Sequence, residues 1–174
     1  MKIGLAQINL TVGDFSGNCA RIVAAARDAA RRDAELTVFS EMCVTGYPAR
    51  DLLERTAFLD AQDRALEHLC HELRGLPVIL GFAQRRLNGE GNSLYNACAL
   101  LDQGQMIAVG HKCLLPTYDV FDEDRYFEPS SAPTLITFKS RRFGLAICED
   151  YWNDKDFWAT HRKYVCDPIE QLIK

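Results

Sequence analysis

The apolar run Phe143-Gly144-Leu145-Ala146-Ile147 stops abruptly at Cys148, Glu149 and Asp150, and this stop constrains the chain more than any other feature. Leu145, Ala146 and Ile147 have the continuous apolar character of a strand buried on both faces. Gly144 permits close backbone approach. Two carboxylates cannot extend the burial, so the chain has to turn outward at Cys148. A nucleophile at such a break is held rigidly while its tip is presented at the sheet edge. A lone thiol is also the small core residue that most cysteines are, and it acquires chemistry only beside a base.

Upstream, Ile3 to Leu10 reads as a buried first strand. Gly13, Asp14, Ser16 and Gly17 supply a turn, with Asn18 as N-cap. From Cys19 to Ala34, Ile22, Val23, Ala26, Ala29 and Ala30 share a helical face opposite Arg21, Arg27, Asp28, Arg31 and Arg32. Leu36 to Phe39 is the next buried strand, ending at Ser40-Glu41. After a loop at Thr45-Gly46-Tyr47-Pro48, Asp51 can cap a helix whose Leu59, Leu66, Leu69 and Leu73 share one side and which Gly75 closes. Pro77 to Phe82 starts another strand, and Asn88-Gly89-Glu90-Gly91-Asn92 is a hairpin turn signal.

Strands follow at Leu94–Leu101 and Met106–Gly110, separated by an Asp102-Gln103-Gly104 turn. His111 to Pro133 is a long irregular segment of the functional kind. Thr134–Lys139 and Arg142–Ile147 form a last hairpin. Asp167-Pro168-Ile169-Glu170 is a strong helix start, and Ile169, Leu172 and Ile173 give that helix a face to bury. The chain stops at Lys174 after roughly two turns of it, too short a helix to stand unpacked, so the sequence is expected to be truncated relative to its natural unit. Strand and helix alternate first and hairpins follow, which predicts an α/β fold with a mixed sheet and helices on one face.

The 174 residues suit one domain or one incomplete larger one. With 20 basic against 24 acidic residues the net charge is −4, so no basic stripe exists to displace counterions and no nucleic-acid partner is expected. No apolar run approaches the ~20 residues of a membrane span. The seven cysteines are odd in number and scattered, and Met1-Lys2 leads straight into Ile3 without a secretory pattern. Reduced thiols and a cytoplasmic location are expected. A catalytic thiol and a set of inert core cysteines both fit.

Three residues occupy equivalent places just past buried strands: Glu41, Lys112 and Cys148. Strand ends on one side of an α/β sheet are where reactive groups converge. Together they can perform acyl transfer. Glu41 takes the thiol proton, Cys148 attacks a carboxamide carbon, and Lys112 stabilises the oxyanion with help from a backbone N–H after Cys148. Each also has a plain reading, as a solvated glutamate, a snorkelling lysine and a core cysteine.

The pieces Gly4-Leu5-Ala6-Gln7-Ile8-Asn9, Glu41 with Thr45-Gly46-Tyr47-Pro48, Lys112-Cys113-Leu114-Leu115-Pro116-Thr117-Tyr118, Phe121-Asp122-Glu123 with Arg125-Tyr126-Phe127, and Ile147-Cys148-Glu149-Asp150 with Trp152 span nearly the whole chain. In this combination they resemble the nitrilase (carbon–nitrogen hydrolase) superfamily, and within it the amino-terminal glutaminase domains of glutamine-dependent NAD synthetases. The resemblance implies a four-layer α-β-β-α sandwich, truncated here at the carboxyl end across residues 1–174. It implies Glu41 as general base, Lys112 as oxyanion stabiliser and Cys148 as nucleophile. Tyr118, Phe121 and Glu149 would line the substrate pocket, with Glu123 and Tyr47 in support. Glutamine would be the substrate, and no cofactor would serve the amidase step. The released ammonia would pass to a synthetase domain or subunit that uses ATP and magnesium to amidate nicotinic acid adenine dinucleotide.

Ser40 stands where the family usually has proline. The resemblance also implies further strands of the family domain, a serine and an arginine near the glutamine, and a synthetase domain, none of which is expected within residues 1–174. A stand-alone amidase on another small amide is an alternative. So is a non-catalytic fragment, and the missing half of the sandwich would make a partner or a homo-oligomer the expected cover. His68 and His71 with Cys70 offer no evident third metal ligand, so no metal site is expected. Cys43 and Cys113 are expected to pack, and the acidic run Asp119, Asp122, Glu123, Asp124 to be a solvated loop.

Overall fold

Residues 1–87, 89–154, 156–158 and 160–174 are described in the computed structural model. Asn88, the first residue of the expected hairpin turn, lies outside them. The chain divides into two units: Met1–Ala83 with Cys98–Val109, and Gln84–Ala97 with Gly110–Lys174. Among the described residues no helix is long and apolar enough to cross a membrane.

In the first unit, β1 (Ile3–Ala6), β2 (Leu36–Phe39) and the start of β3 (Val78–Arg85) run parallel. Two helices, α1 (Phe15–Arg31) and α2 (Thr56–Glu72), supply the crossovers that parallel neighbours require. Cys19, Ile22, Val23 and Ala26 of α1 and Leu59, Leu66 and Leu69 of α2 are buried, as helical spacing predicts. Gln62 of α2 is fully buried, and its side-chain amide donates to the Ala83 carbonyl and accepts the Ala83 N–H. It thereby satisfies both backbone groups of a β3 residue. The five-stranded sheet has the order β1-β2-β3-β4-β5, with β4 at Leu94–Asp102 and β5 at Gln105–His111. The turn between the last two places Gln103 at φ +50° and Gly104 at φ +81°, the left-handed pair that a two-residue hairpin favours.

Three local expectations are corrected here. The first strand ends at Ala6, and it is not buried: Leu5 is 81% exposed. It is the edge of the sheet, and alternate side chains point to opposite faces; Gly4, on the covered face, approaches Ala29 of α1 closely. The N-cap of α1 is Asp14, which accepts the Gly17 N–H at 2.9 Å, not Asn18. Asn18 is fully buried and ties two loops, accepting the Thr11 N–H and donating to the Thr11 and Val44 carbonyls. Asp51 does not cap α2 either; it lies in a 3₁₀ turn, Arg50–Glu54, and Arg55 precedes the helix without a side-chain bond.

In the second unit, β6 (Thr134–Phe138) and β7 (Arg141–Leu145) form an antiparallel hairpin. The strand leading to Cys148 therefore belongs to a two-stranded sheet and is not buried on both faces; Arg141, Arg142 and Gly144 are exposed while Leu145 and Ile147 are covered. Gly144 does serve close approach: a Cβ there would come within 3.0 Å of Leu172 in α3 (Pro168–Leu172). Asp167 caps α3 through the Glu170 N–H, with Pro168 at the first position. Ile173 is 79% exposed and does not join the apolar face expected of this helix.

Asn18→Ala leaves the buried Val44 carbonyl without its donor and should lower the unfolding free energy by about 1–3 kcal/mol. Asp14→Ala should cost less, because its cap bond is only part-buried and water can replace it. Urea denaturation at unchanged m-value checks the order of the two.

Candidate active site

Glu41 belongs to the first unit. It sits half-buried two residues beyond β2, in a turn whose next residue, Met42, has φ +52°. The turn is backed by Gly81 of β3: a Cβ there would overlap the Met42 amide and come within 2.9 Å of the Glu41 Cα. Val44 N–H donates to the Gly81 carbonyl at 3.2 Å, and the Cys43 sulfur accepts the Gly81 N–H at 3.3 Å. Burial pushes the Cys43 thiol up to about 12. It is fully buried and packs, as expected. Tyr47 lies in the same loop before a cis Pro48.

The second unit holds Lys112, directly after β5. Its side chain is fully buried, and an ammonium in that position requires a counter-charge. Glu123 provides it, with Nζ at 2.8 Å from Oε2 and 3.0 Å from Oε1. Asn96 donates to the same carboxylate at 3.3 Å, and the Lys112 N–H donates to the Asn96 carbonyl at 2.9 Å. Glu123 is thus not part of a solvated acidic loop; it is 4% exposed, while Asp119, Asp122 and Asp124 are not buried.

Cys148 is exposed and adopts φ +47° at the start of a 3₁₀ turn, Cys148–Tyr151. A residue bearing a side chain is uncommon in this left-handed region, and outside a tight hairpin it is held there by its surroundings. The two carboxylates that follow point inward. Glu149, 4% exposed, accepts the Tyr118 hydroxyl at 2.8 Å and the Tyr164 hydroxyl at 2.9 Å. Asp150 accepts three backbone N–H groups, from Cys113, Leu114 and Ile147. Phe121 packs edge-on against Tyr118 with centroids 5.7 Å apart, and Lys163 Nζ lies 3.3 Å from the Tyr118 ring centroid. The hydrogen bond to Glu149, then burial, pushes the Tyr118 phenol up to about 12. Cys113 is also driven up to about 12, by burial and then by Asp150, so it packs as expected.

The second unit therefore groups Lys112 with Glu123, and Glu149 with Tyr118, on the segments that carry Cys148. Spacing alone missed Asp150, Gly81, Tyr164 and Lys163. A carboxylate directly after an outward turn and followed by aromatics was the available signal for Asp150, since a buried carboxylate there must find donors.

A family model described as carbon-nitrogen hydrolase matches residues 2–163, and the chain belongs to that family. It is 38% identical over 175 residues to a glutamine-dependent NAD(+) synthetase of Synechocystis sp., an overlap covering 98% of this chain and 31% of that protein. The corresponding protein of Thermotoga maritima is 37% identical, with 88% of this chain and 26% of the relative covered. The chain thus spans about a third or less of the length of these relatives. The solved glutamine-dependent NAD+ synthetase of Acinetobacter baumannii, in complex with adenosine diphosphate, superposes with a TM-score of 0.80 at 34% identity, over 86% of this chain and 28% of that one. An amidase of Nesterenkonia sp. shares the fold, with a TM-score of 0.72 at 22% identity over 90% of this chain and 58% of that one. The α/β fold is therefore of the nitrilase type, and the matched region is the hydrolase part of the synthetases.

Glu123→Gln removes the counter-charge of a fully buried ammonium and should destabilise the fold by about 3–5 kcal/mol, read by thermal or urea unfolding. The Tyr118 phenol titrates higher in the folded chain than its ordinary 10, so its contribution to stability is full below about pH 10 and is lost as pH rises through about 12. In Glu149→Gln the ultraviolet phenolate titration of Tyr118 should move back down.

Proposed function

We propose that this chain hydrolyses the side-chain amide of glutamine through a cysteine thioester and delivers the ammonia to a synthetase domain or subunit. Glu41, Lys112 and Cys148 are the reacting groups. Glu41 takes the proton from the Cys148 thiol as sulfur attacks the carboxamide carbon. The oxyanion that forms is stabilised by the Lys112 ammonium and by a backbone N–H of the turn after Cys148. When the C–N bond breaks, Glu41 returns the proton to the leaving nitrogen and ammonia departs. Glu41 then takes a proton from water as its oxygen attacks the thioester, and glutamate and the thiol are regenerated.

The observation that carries this reading is the fully buried Lys112 ammonium, held by both oxygens of Glu123 on the strand end beside the segment that packs against the Cys148 elbow. The snorkelling surface lysine of the plain reading would keep its head in water. Tyr118, Phe121 and Glu149 form the substrate pocket, and Tyr47 and Glu123 support the reacting groups. The amidase step uses no cofactor. ATP and magnesium serve the partner domain, where ammonia amidates nicotinic acid adenine dinucleotide, as the similarity to synthetases suggests. The setting is the cytoplasm, with the chain functioning beside its synthetase partner in a homo-oligomer.

Cys148→Ala should abolish ammonia release from glutamine and covalent trapping by a glutamine-derived electrophile. Undiminished labelling of that variant would remove Cys148 from the mechanism. Faster hydrolysis of a simple amide than of glutamine would replace the glutaminase with a general amidase.

A further inference from the structure

Asp150 takes no part in the steps above, yet its side chain is 1% exposed and fully engaged. Oδ1 accepts the N–H of Cys113 at 3.0 Å and of Leu114 at 2.9 Å, and Oδ2 accepts the N–H of Ile147 at 2.9 Å. One short carboxylate thereby joins the two residues that follow Lys112 to the residue that precedes Cys148. The Asp150 N–H donates to the Ile147 carbonyl at 3.1 Å, so Cys148 is enclosed between two groups that are bonded to each other. This closure over-determines the left-handed backbone of the elbow, φ +47°. Burial raises the Asp150 carboxyl, while the three N–H groups and the Lys112 cation oppose that rise.

We infer that Asp150 is a positioning residue that sets the distance between the Lys112 ammonium and the Cys148 thiol by clamping both backbones with one side chain. The inference rests on the catalytic reading of those two residues and deepens it. An aspartate fits because its side chain is short and its ionised form only accepts. Asparagine keeps an oxygen for the Cys113 and Leu114 amides but turns an NH₂ toward the Ile147 N–H, where donor meets donor.

The test compares the unaltered chain with Asp150→Ala and Asp150→Asn. It measures thermal unfolding, kcat and KM for glutamine, and the pH profile of Cys148 alkylation by iodoacetamide located by peptide mass spectrometry. Asp150→Asn is expected to unfold cooperatively, with kcat down about a hundredfold and KM retained, the signature of misplaced reacting groups. Its alkylation profile should move to higher pH, because the ammonium no longer favours the thiolate. Asp150→Ala should do the same or fail to fold, in which case the asparagine variant decides. Retained kcat in a folded variant overturns the inference, as does a loss in which kcat and KM worsen together with the alkylation profile unmoved. Should the unaltered chain not hydrolyse glutamine, the proposed function fails while Asp150 is still judged by the alkylation profile: a shift supports the clamp, and its absence overturns it.

Discussion

A lysine ammonium without solvent cannot be left alone, and the course of the second unit follows from that requirement. The cost of removing an unpaired cation from water far exceeds the marginal stability of a domain. Glu123 therefore has to reach Lys112, and the irregular segment after β5 has to fold back to bring it there. The Glu123 N–H donates to the Pro116 carbonyl, Phe127 N–H to the Glu123 carbonyl, and Glu128 N–H to the Leu94 carbonyl. The Asn92 side chain donates to the carbonyls of Asp124 and Phe127. A long loop with little regular structure is thus as constrained as a strand, because a charge pair anchors its middle.

In the first unit the turn that carries Glu41 is held by its backbone. Close backbone approach does the work. Gly81 leaves no room for a Cβ against the Glu41 turn, Gly46 leaves none against Val12, and Asn18 joins the loops at Thr11 and Val44. Rigid elements hold a reacting group more exactly than loops do, and here the loop is made rigid by the strand beside it. Glu41 stands two residues past β2 in a turn packed against the β3 backbone, and Lys112 stands directly past β5 with its charge met by Glu123.

Local signals were legible in the sequence and long-range ones were not. The leucine stripe of α2, the strand Leu36–Phe39 and the Asp167 cap of α3 depend on neighbours within a few residues, and all three stand as read. Asn18 and Asp14 are both good N-cap types four residues apart. Only the distant Val44 carbonyl decides that Asn18 turns inward and leaves the cap to Asp14. Ile3 and Leu5 are as apolar as any core residue, and their exposure follows from the face of β1 they take, opposite the one that α1 covers at Gly4. At the site, the outward turn at Cys148 was readable from the abrupt change of polarity. The roles of the two carboxylates after it were not, because all their donors but the Ile147 N–H lie 15 to 37 residues away along the chain, in Cys113, Leu114, Tyr118 and Tyr164.

Those two carboxylates are adjacent and both buried, yet they differ in what binds them. Asp150 is held by backbone N–H groups, which cannot withdraw unless the turn itself opens. Glu149 is held by two tyrosine hydroxyls, and the ring of one of them, Tyr118, carries the Lys163 ammonium. Side chains can rotate away and leave the backbone where it is. One carboxylate is therefore held by backbone groups and the other by side chains. On the proposed reading the backbone-held acid is the one suited to keeping sulfur and ammonium in register, because the groups it binds move only with the turn itself.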